Sequence, residues 1–324
     1  MTKAAVQRTQ SLSADRALER YKNQINRALA EHVQSVDKLP DEVRMALQYT
    51  IAVGGKRIRP TIALLACESV GGSARDALHV AVAAELLHTA TLIYDDIIDG
   101  DKLRRGQPAV HVKFGQDLAI VVAGMLTTRA LYTVMEDTRL LRHILSAMDE
   151  LGVGEVLDIR GEIGDVKGYL LVSEKKTATL FRLAADMGAL MGNATPAQQT
   201  ALGDYAHNLG AAFQLRDDVL NAVGDQKQLG KPVGSDLRKG RPSIVSILVC
   251  EHLDVPLQKL AGRAGNEFPG ARTMRRLVSR AAEQAMVLCN SYVGQAANAL
   301  QMLPDSVHRE NMHHLLRSVA TRSR

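Results

Sequence analysis

The chain has 324 residues, 46% of them hydrophobic and 23% charged, with a formal net charge of +5. That balance belongs to a globular protein with a sizeable core and excludes a disordered chain. The small charge excess comes with no nucleic-acid motif, so no nucleic-acid partner is expected. Aromatic residues are only 3%, Trp is absent, and alanine and leucine dominate, which favours helices over strands.

Cys67, Cys250 and Cys289 stand isolated in apolar helical contexts without metal-ligand spacing, so buried reduced thiols are expected. Residues 1–15 are polar and lack the apolar centre of a signal peptide. No apolar run reads as the roughly 18 residues that span a bilayer. The expectation is a cytoplasmic protein that is not transmembrane.

In chain order, Leu18, Tyr21, Ile25, Leu29 and Val33 recur at helical spacing, with Ser13 to Asp15 as the predicted cap. Residues 1–12 are expected to be flexible. A second helix runs from Pro40 and Asp41 to the Gly54-Gly55 break. Pro60 is predicted to open a third helix that ends near Gly71-Gly72. Ser73 is the predicted cap of a long apolar helix reaching Asp95.

Arg104 to Pro108 reads as a loop, followed by helices over 117–136 and 138–151. Residues 152–168 hold five glycines and read as irregular. Ser173 is the predicted cap of a helix to Gly192. Thr195-Pro196-Ala197-Gln198 has the form of a capping box. Residues 224–241 form a glycine-rich charged stretch without period, long enough to suggest function. Pro242 restarts a helix, and two or three more close the chain. Ten to thirteen helices and no strand follow, an all-α chain predicted as one domain over 1–324.

Two acidic clusters stand out. Tyr94 to Gly106 holds Asp95, Asp96, Asp99 and Asp101 and then Arg104 and Arg105. On a helix, residues four apart lie about 40° apart round the axis, so Asp95 and Asp99 share a face with Asp96 to the side. Phe213 to Asn221 carries the pair Asp217 and Asp218, with Asp225 beyond. Two such helices facing each other would hold hard cations, which prefer oxygen ligands. A solvated acidic face is the plain alternative, but Leu92-Ile93-Tyr94 and Phe213-Gln214-Leu215 lead straight into the acids and suggest cavity-lining positions.

The stretch DDIIDGDKLRRG resembles the first aspartate-rich motif of the trans-isoprenyl (polyprenyl) diphosphate synthase family. FQLRDDVLN is similar to the second, with Asn221 where that family usually has aspartate. GGKRIRP (54–60), EKKTATLF (174–181) and GKPVGSDLRKG (230–240) follow in the family's order. The resemblance implies a single large helical bundle around a central cavity, a homodimer, and about three Mg2+ ions per site. It implies Asp95, Asp99 and Asp217 as metal ligands, and Asp95, Asp96, Asp99, Arg104, Lys176, Asp217 and Asp218 as the catalytic set.

Lys56, Arg59 and His88, with Arg105, match the positions that hold the diphosphate of isopentenyl diphosphate. Arg104, Lys176, Thr177, Gln214, Lys231 and Arg241 match the allylic diphosphate side. Arg241 stands where lysine is common. Asp236 and Lys239 are linked with the metal side, and Met125 sits where relatives often carry aspartate. Arginine suits phosphate through its two-pronged fork and lysine as a point charge; a buried core role is the plain alternative for His88.

The implied reaction condenses isopentenyl diphosphate with an allylic diphosphate to a longer polyprenyl diphosphate. Ala90 and Thr91, one turn before Asp95, are small where short-product relatives carry an aromatic, so a product of C20 or longer, C30 or more included, is expected. Two alternatives stay open at this point: a class I terpene cyclase on the same fold, and a non-catalytic subunit of a heteromeric synthase.

Overall fold

The computed structural model describes residues 3–34, 39–161, 163–224, 241–257, 259 and 271–321. Two compact units share the chain: Met1–Ser146, Leu183–Gly203 and Met302–His314 form the first, and Ala147–Arg182, Asp204–Gln301 and Leu315–Arg324 the second. The described residues are all-α apart from one two-stranded hairpin.

The helices, in order, are α1 (Lys3–Gln34), α2 (Asp41–Ala52), α3 (Ile58–Ser69), α4 (Leu78–Ile98), α5 (Val110–Phe114), α6 (Gln116–Val134), α7 (Thr138–Arg160), α8 (Val166–Ser173), α9 (Thr179–Met191), α10 (Pro196–Val223), α11 (Ile244–Leu253), α12 (Ala271–Ala299) and α13 (Val307–Ala320). A π turn, Glu174–Ala178, joins α8 to α9 without a break.

In the first unit α4 is central. Eight successive residues, Val80 to Leu87, are buried, so this helix is enclosed on every side rather than amphipathic. Alanines on α4 and Ala119, Ala123 and Ala130 on α6 let the two helices pack closely. Around them Tyr21, Ile25, Leu29, Leu47, Ile62 and Leu65 are fully buried, each large aliphatic side chain contributing about 1.5–3 kcal/mol. At Gly188, on the α9 segment of this unit, an added Cβ would stand 2.1 Å from the Ala63 carbonyl oxygen.

In the second unit the enclosed helix is α11, buried from Ile244 through Cys250. It packs with Tyr169, Val172, Leu215, Val219, Ala281, Ala285 and Cys289. The Ser243 side chain caps it reciprocally with Ser246.

Several expectations are corrected. Helix α1 starts at Lys3, because residues 3–12 are mostly good helix formers, and Ser13 lies inside it. Helix α3 starts at Ile58, with Arg57 at φ 53° before it, so Pro60 falls in the first turn. Ser73 caps a turn, its hydroxyl accepting from Asp76 N, and α4 begins only at Leu78. Leu103–Arg104 and Gln107–Pro108 pair as a hairpin where a loop was expected. Its central residues, Arg105 and Gly106, both have positive φ (54° and 76°), the geometry of a tight hairpin turn.

Helix α7 continues through Gly152 and Gly154 to Arg160. Asp165, not Ser173, caps α8 by accepting from Gly168 N at 2.7 Å. The Thr195–Gln198 capping box forms as read, with bonds of 2.9 and 3.3 Å. Helix α6 is long and apolar enough to cross a membrane by length and composition, at a mean hydropathy of 1.3. Its scattered polar residues hide this from a search for unbroken apolar runs.

Candidate active site

In the first unit the last turn of α4 presents Asp95 and Asp96, and Asp99 caps the helix with its N–H on the Asp95 carbonyl at 2.8 Å. The two members of the acidic pair differ. Asp95 is half-buried and Asp99 exposed. Asp96 is only 3% exposed, and Arg104 grips it with both Nε and Nη2, Nε lying 2.9 Å from Oδ1 and 3.2 Å from Oδ2 and Nη2 also donating to Oδ1. The hairpin makes this possible by folding Arg104 back over α4. Burial works against the Arg104 charge, but Asp96, Asp95 and Asp101 outweigh it and push its pKa up.

A cationic pocket adjoins this helix. Arg59 Nη1 and His88 Nε2 are 3.0 Å apart. The Arg105 guanidinium lies over Gly55, where an added Cβ would meet Nη1 at 2.7 Å. His88 is pulled well below its ordinary pKa by burial first, then by Arg59, Arg105, Arg104 and Arg57. A neutral imidazole accepts the arginine N–H on Nε2 and keeps its proton on Nδ1. Burial alone would lower His88, and the four arginines add to it; guanidiniums gathered this closely suit an anion. Lys56, on the same loop, is exposed.

Sequence reasoning missed what holds this loop. Arg57 is 3% exposed, and its left-handed backbone turns the chain into α3. Its side chain donates to Asn26 Oδ1 at 2.8 Å and to the Ile51 carbonyl at 3.0 Å, and it pairs with buried Glu85 on α4. The signal was present, an arginine between two predicted anion contacts, but spacing does not tell an inward arginine from an outward one.

In the second unit α10 repeats the division within its acidic pair. Asp217 is half-buried. Asp218 is 8% exposed and, among the described residues, accepts hydrogen bonds from Tyr169 Oη at 2.7 Å, from Ile244 N at 3.0 Å and from Gln214 Nε2 at 2.9 Å. Burial, then the Asp218 charge, pushes the Tyr169 phenol far up, so it stays a donor. Gln214 Oε1 accepts from Thr177 Oγ1 at 3.0 Å, making one chain Thr177–Gln214–Asp218. Nothing in the sequence singled out Tyr169.

Lys176 sits in the π turn, paired with Glu155 at 2.8 Å and Asp158 at 2.6 Å on α7. The approach depends on Gly154, where a Cβ would stand 2.8 Å from Lys175 Cβ and 3.1 Å from Lys176 N. So this glycine serves a close crossing rather than a break. Single-turn π bulges occur often at functional sites because they re-aim side chains without ending a helix. Asn221 and Arg241 are half-buried, and Ser246 Oγ donates to the Arg241 carbonyl at 3.1 Å. Lys231, Asp225, Asp236 and Lys239 lie outside the described residues.

Ala90 is 2% exposed and Thr91 half-buried, its hydroxyl donating to the His88 carbonyl at 2.9 Å. Met125 is half-buried on α6. The carboxylates of Asp95 and Asp99 in the first unit and of Asp217 in the second offer only oxygen donors, the kind a hard divalent cation prefers over a soft one.

Comparison with known proteins is consistent across most of the chain. The short chain isoprenyl diphosphate synthase of Methanothermobacter thermautotrophicus is 35% identical over 308 residues, covering 90% of this chain and 94% of the relative. The octaprenyl diphosphate synthase of Escherichia coli is 33% identical over 316 residues, covering 93% and 95%. A crystal structure of a polyprenyl synthase from Caulobacter crescentus, complexed with calcium and isoprenyl diphosphate, superposes with a TM-score of 0.84 at 31% identity, covering 97% of this chain and 98% of that one. The family described as polyprenyl synthetase matches residues 40–279, and with the two acidic pairs and the arginine-ringed His88 already in place, the chain belongs to that family.

Proposed function

We propose that the protein condenses isopentenyl diphosphate with an allylic diphosphate, releasing diphosphate and a longer polyprenyl diphosphate, and that the two units work as one prenyltransferase domain. The observation that carries this is the cationic group round His88 in the first unit, beside which the second unit has its own group of Lys176, Thr177 and Gln214 in sequence reach of an acidic pair. Two anion sites suit a reaction between two diphosphates. A terpene cyclase needs one.

Lys56, Arg59, His88 and Arg105 bind the isopentenyl diphosphate. Arg104, Lys176, Thr177, Gln214, Lys231 and Arg241 bind the allylic diphosphate. Asp95, Asp99 and Asp217 would hold Mg2+, with Asn221 offering an amide oxygen; bound there, Mg2+ supplies positive charge that stabilises the leaving diphosphate. Asp96 and Asp218 are the positioning partners, fixing Arg104 and the Gln214–Thr177 chain.

The allylic C–O bond breaks with its electron pair going to diphosphate. The isopentenyl double bond then attacks the allylic carbon, and the proton lost from the new cation goes to the released diphosphate. Lys176 leaves Glu155 and Asp158 for a phosphate, an exchange of one charge-assisted partner for another.

Ala90 and Thr91 support a product of C20 or longer, since small side chains one turn before Asp95 leave the growing chain room. The two relatives named for product class, short-chain and octaprenyl, match almost equally well. For assembly we favour a homodimer formed through α6, whose Ile120, Val121 and Tyr132 are exposed at 43%, 53% and 67%. Buried thiols at Cys67, Cys250 and Cys289 support a reducing, cytoplasmic location.

The test is to incubate the purified chain with Mg2+, labelled isopentenyl diphosphate and allylic starters of several lengths, and to size the products. Labelled polyprenyl diphosphates are expected from the chain alone. Diphosphate release without incorporation of label would indicate a cyclase, and turnover only with a second chain would indicate a subunit.

A further inference from the structure

Helix α12 carries Arg272, Arg275, Arg276 and Arg280 within its first ten residues and no acid in its first turn. At 100° per residue these four fall within about 140° of arc, and all four are exposed. Such a cluster works against the helix, because the N-terminal end of the macrodipole is already positive. Together with Ser279 and Glu283 they line an open cavity of about 810 Å³. Four arginines less one glutamate give +3, a large share of the chain's net +5.

The same face turns apolar one step further along. Val287, at 60° on that wheel, is 71% exposed, and Val223 on α10 is 46% exposed. Val219, Ala282, Met286 and Val287 form the apolar walls of a second open groove of about 550 Å³. Arg216 crosses it, with Nη1 on Met286 Sδ at 3.0 Å. An array of guanidiniums beside exposed aliphatic side chains fits an interface that is anionic on top and oily beneath. A purely ionic partner would have no use for Val287, and an apolar one none for the arginines.

We propose that this face of α12 docks the protein on anionic phospholipid membrane surfaces. None of the residues lining these two cavities is among the groups assigned to prenyl transfer. Under the reading above docking there would shorten the path of an oily product to a bilayer, but the docking is measured without any turnover.

The full chain is to be sedimented with phosphatidylglycerol-rich and with pure phosphatidylcholine vesicles. Binding to the first and not the second, released by high salt, is expected. R272Q/R276Q/R280Q is expected to weaken binding by roughly tenfold or more, with helix content and vesicle-free prenyl transfer unchanged. V287D is expected to weaken the attachment while leaving its salt dependence in place. Equal binding to both vesicle types, full retention by the triple variant, or binding of inorganic diphosphate or duplex DNA at these arginines without vesicle binding would overturn the proposal.

Discussion

The Tyr169 hydroxyl donates to Asp218 Oδ2 at 2.7 Å, and the backbone N–H of Ile244 reaches the same oxygen at 3.0 Å. So α8 and α11 are fastened to α10 through one buried carboxylate, beside Asp217. Tyr169→Phe removes one of the donors to a buried charge, which costs about 1–3 kcal/mol. Urea unfolding is expected to show that loss, with a fall in kcat as Asp217 loses its fixed setting. Unchanged stability would mean that Asp218 is satisfied without Tyr169.

Gly55 lies under the Arg105 guanidinium. Gly55→Ala places a methyl group 2.7 Å from Nη1, and because the obstructed group is the end of a flexible side chain, the fold should survive. KM for isopentenyl diphosphate is expected to rise about tenfold, equivalent to about 1.4 kcal/mol, while KM for the allylic substrate holds. A matched rise in both would count against separate anion sites.

Thr91 and Ala90 give different forecasts for the same substitution. Thr91 is half-buried, so Thr91→Phe should shorten the product while keeping the protein folded. Ala90 is 2% exposed, and Ala90→Phe overpacks the core at a cost of about 1–3 kcal/mol. Product sizing with thermal melts checks both, and an unchanged product length from a folded Thr91→Phe chain would remove the chain-length argument.

Asn221→Asp restores a negative charge beside Asp217. Half-saturation by Mg2+ is expected at a several-fold lower concentration, because a carboxylate attracts the cation where an amide only offers a dipole. A titration of rate against Mg2+ reads this directly. No change would mean that position 221 does not face the metal.

His88 also makes stability depend on pH. Burial and the surrounding arginines hold its pKa below the ordinary 6.5, so on acidification the unfolded chain takes up the proton first. Its contribution is complete above the unfolded value and is lost as pH falls towards the lowered folded value, at no more than about 1.4 kcal/mol per pH unit. Urea unfolding between neutral pH and pH 5 should steepen less in His88→Gln than in the parent. Some slope remains, since His32, His79 and His207 are shifted the same way by burial.

Helical periodicity made the all-α class readable even where predicted caps fell elsewhere, and the motifs marked the two acidic pairs and the basic residues beside His88. What stayed hidden is the set of partners behind them. Glu85 is an ordinary residue in helical sequence, Glu155 and Asp158 fall in the stretch that reads as irregular, and Tyr169 carries no motif; only tertiary packing turns them towards Arg57, Lys176 and Asp218. Glycine misled in the same way: Gly154 reads as a helix breaker, but a close crossing explains it better. Lys231 carries an expectation that the described residues do not reach.

The widened turn at Glu174–Ala178 has one residue more than a regular helix would need to join α8 to α9. Deleting Lys175 should let the segment rewind into an ordinary α-helix with both flanks still docked where they are. Lys176 and Thr177 would then rotate off their present bearing, giving an inert but well-folded protein from the loss of a single amino acid.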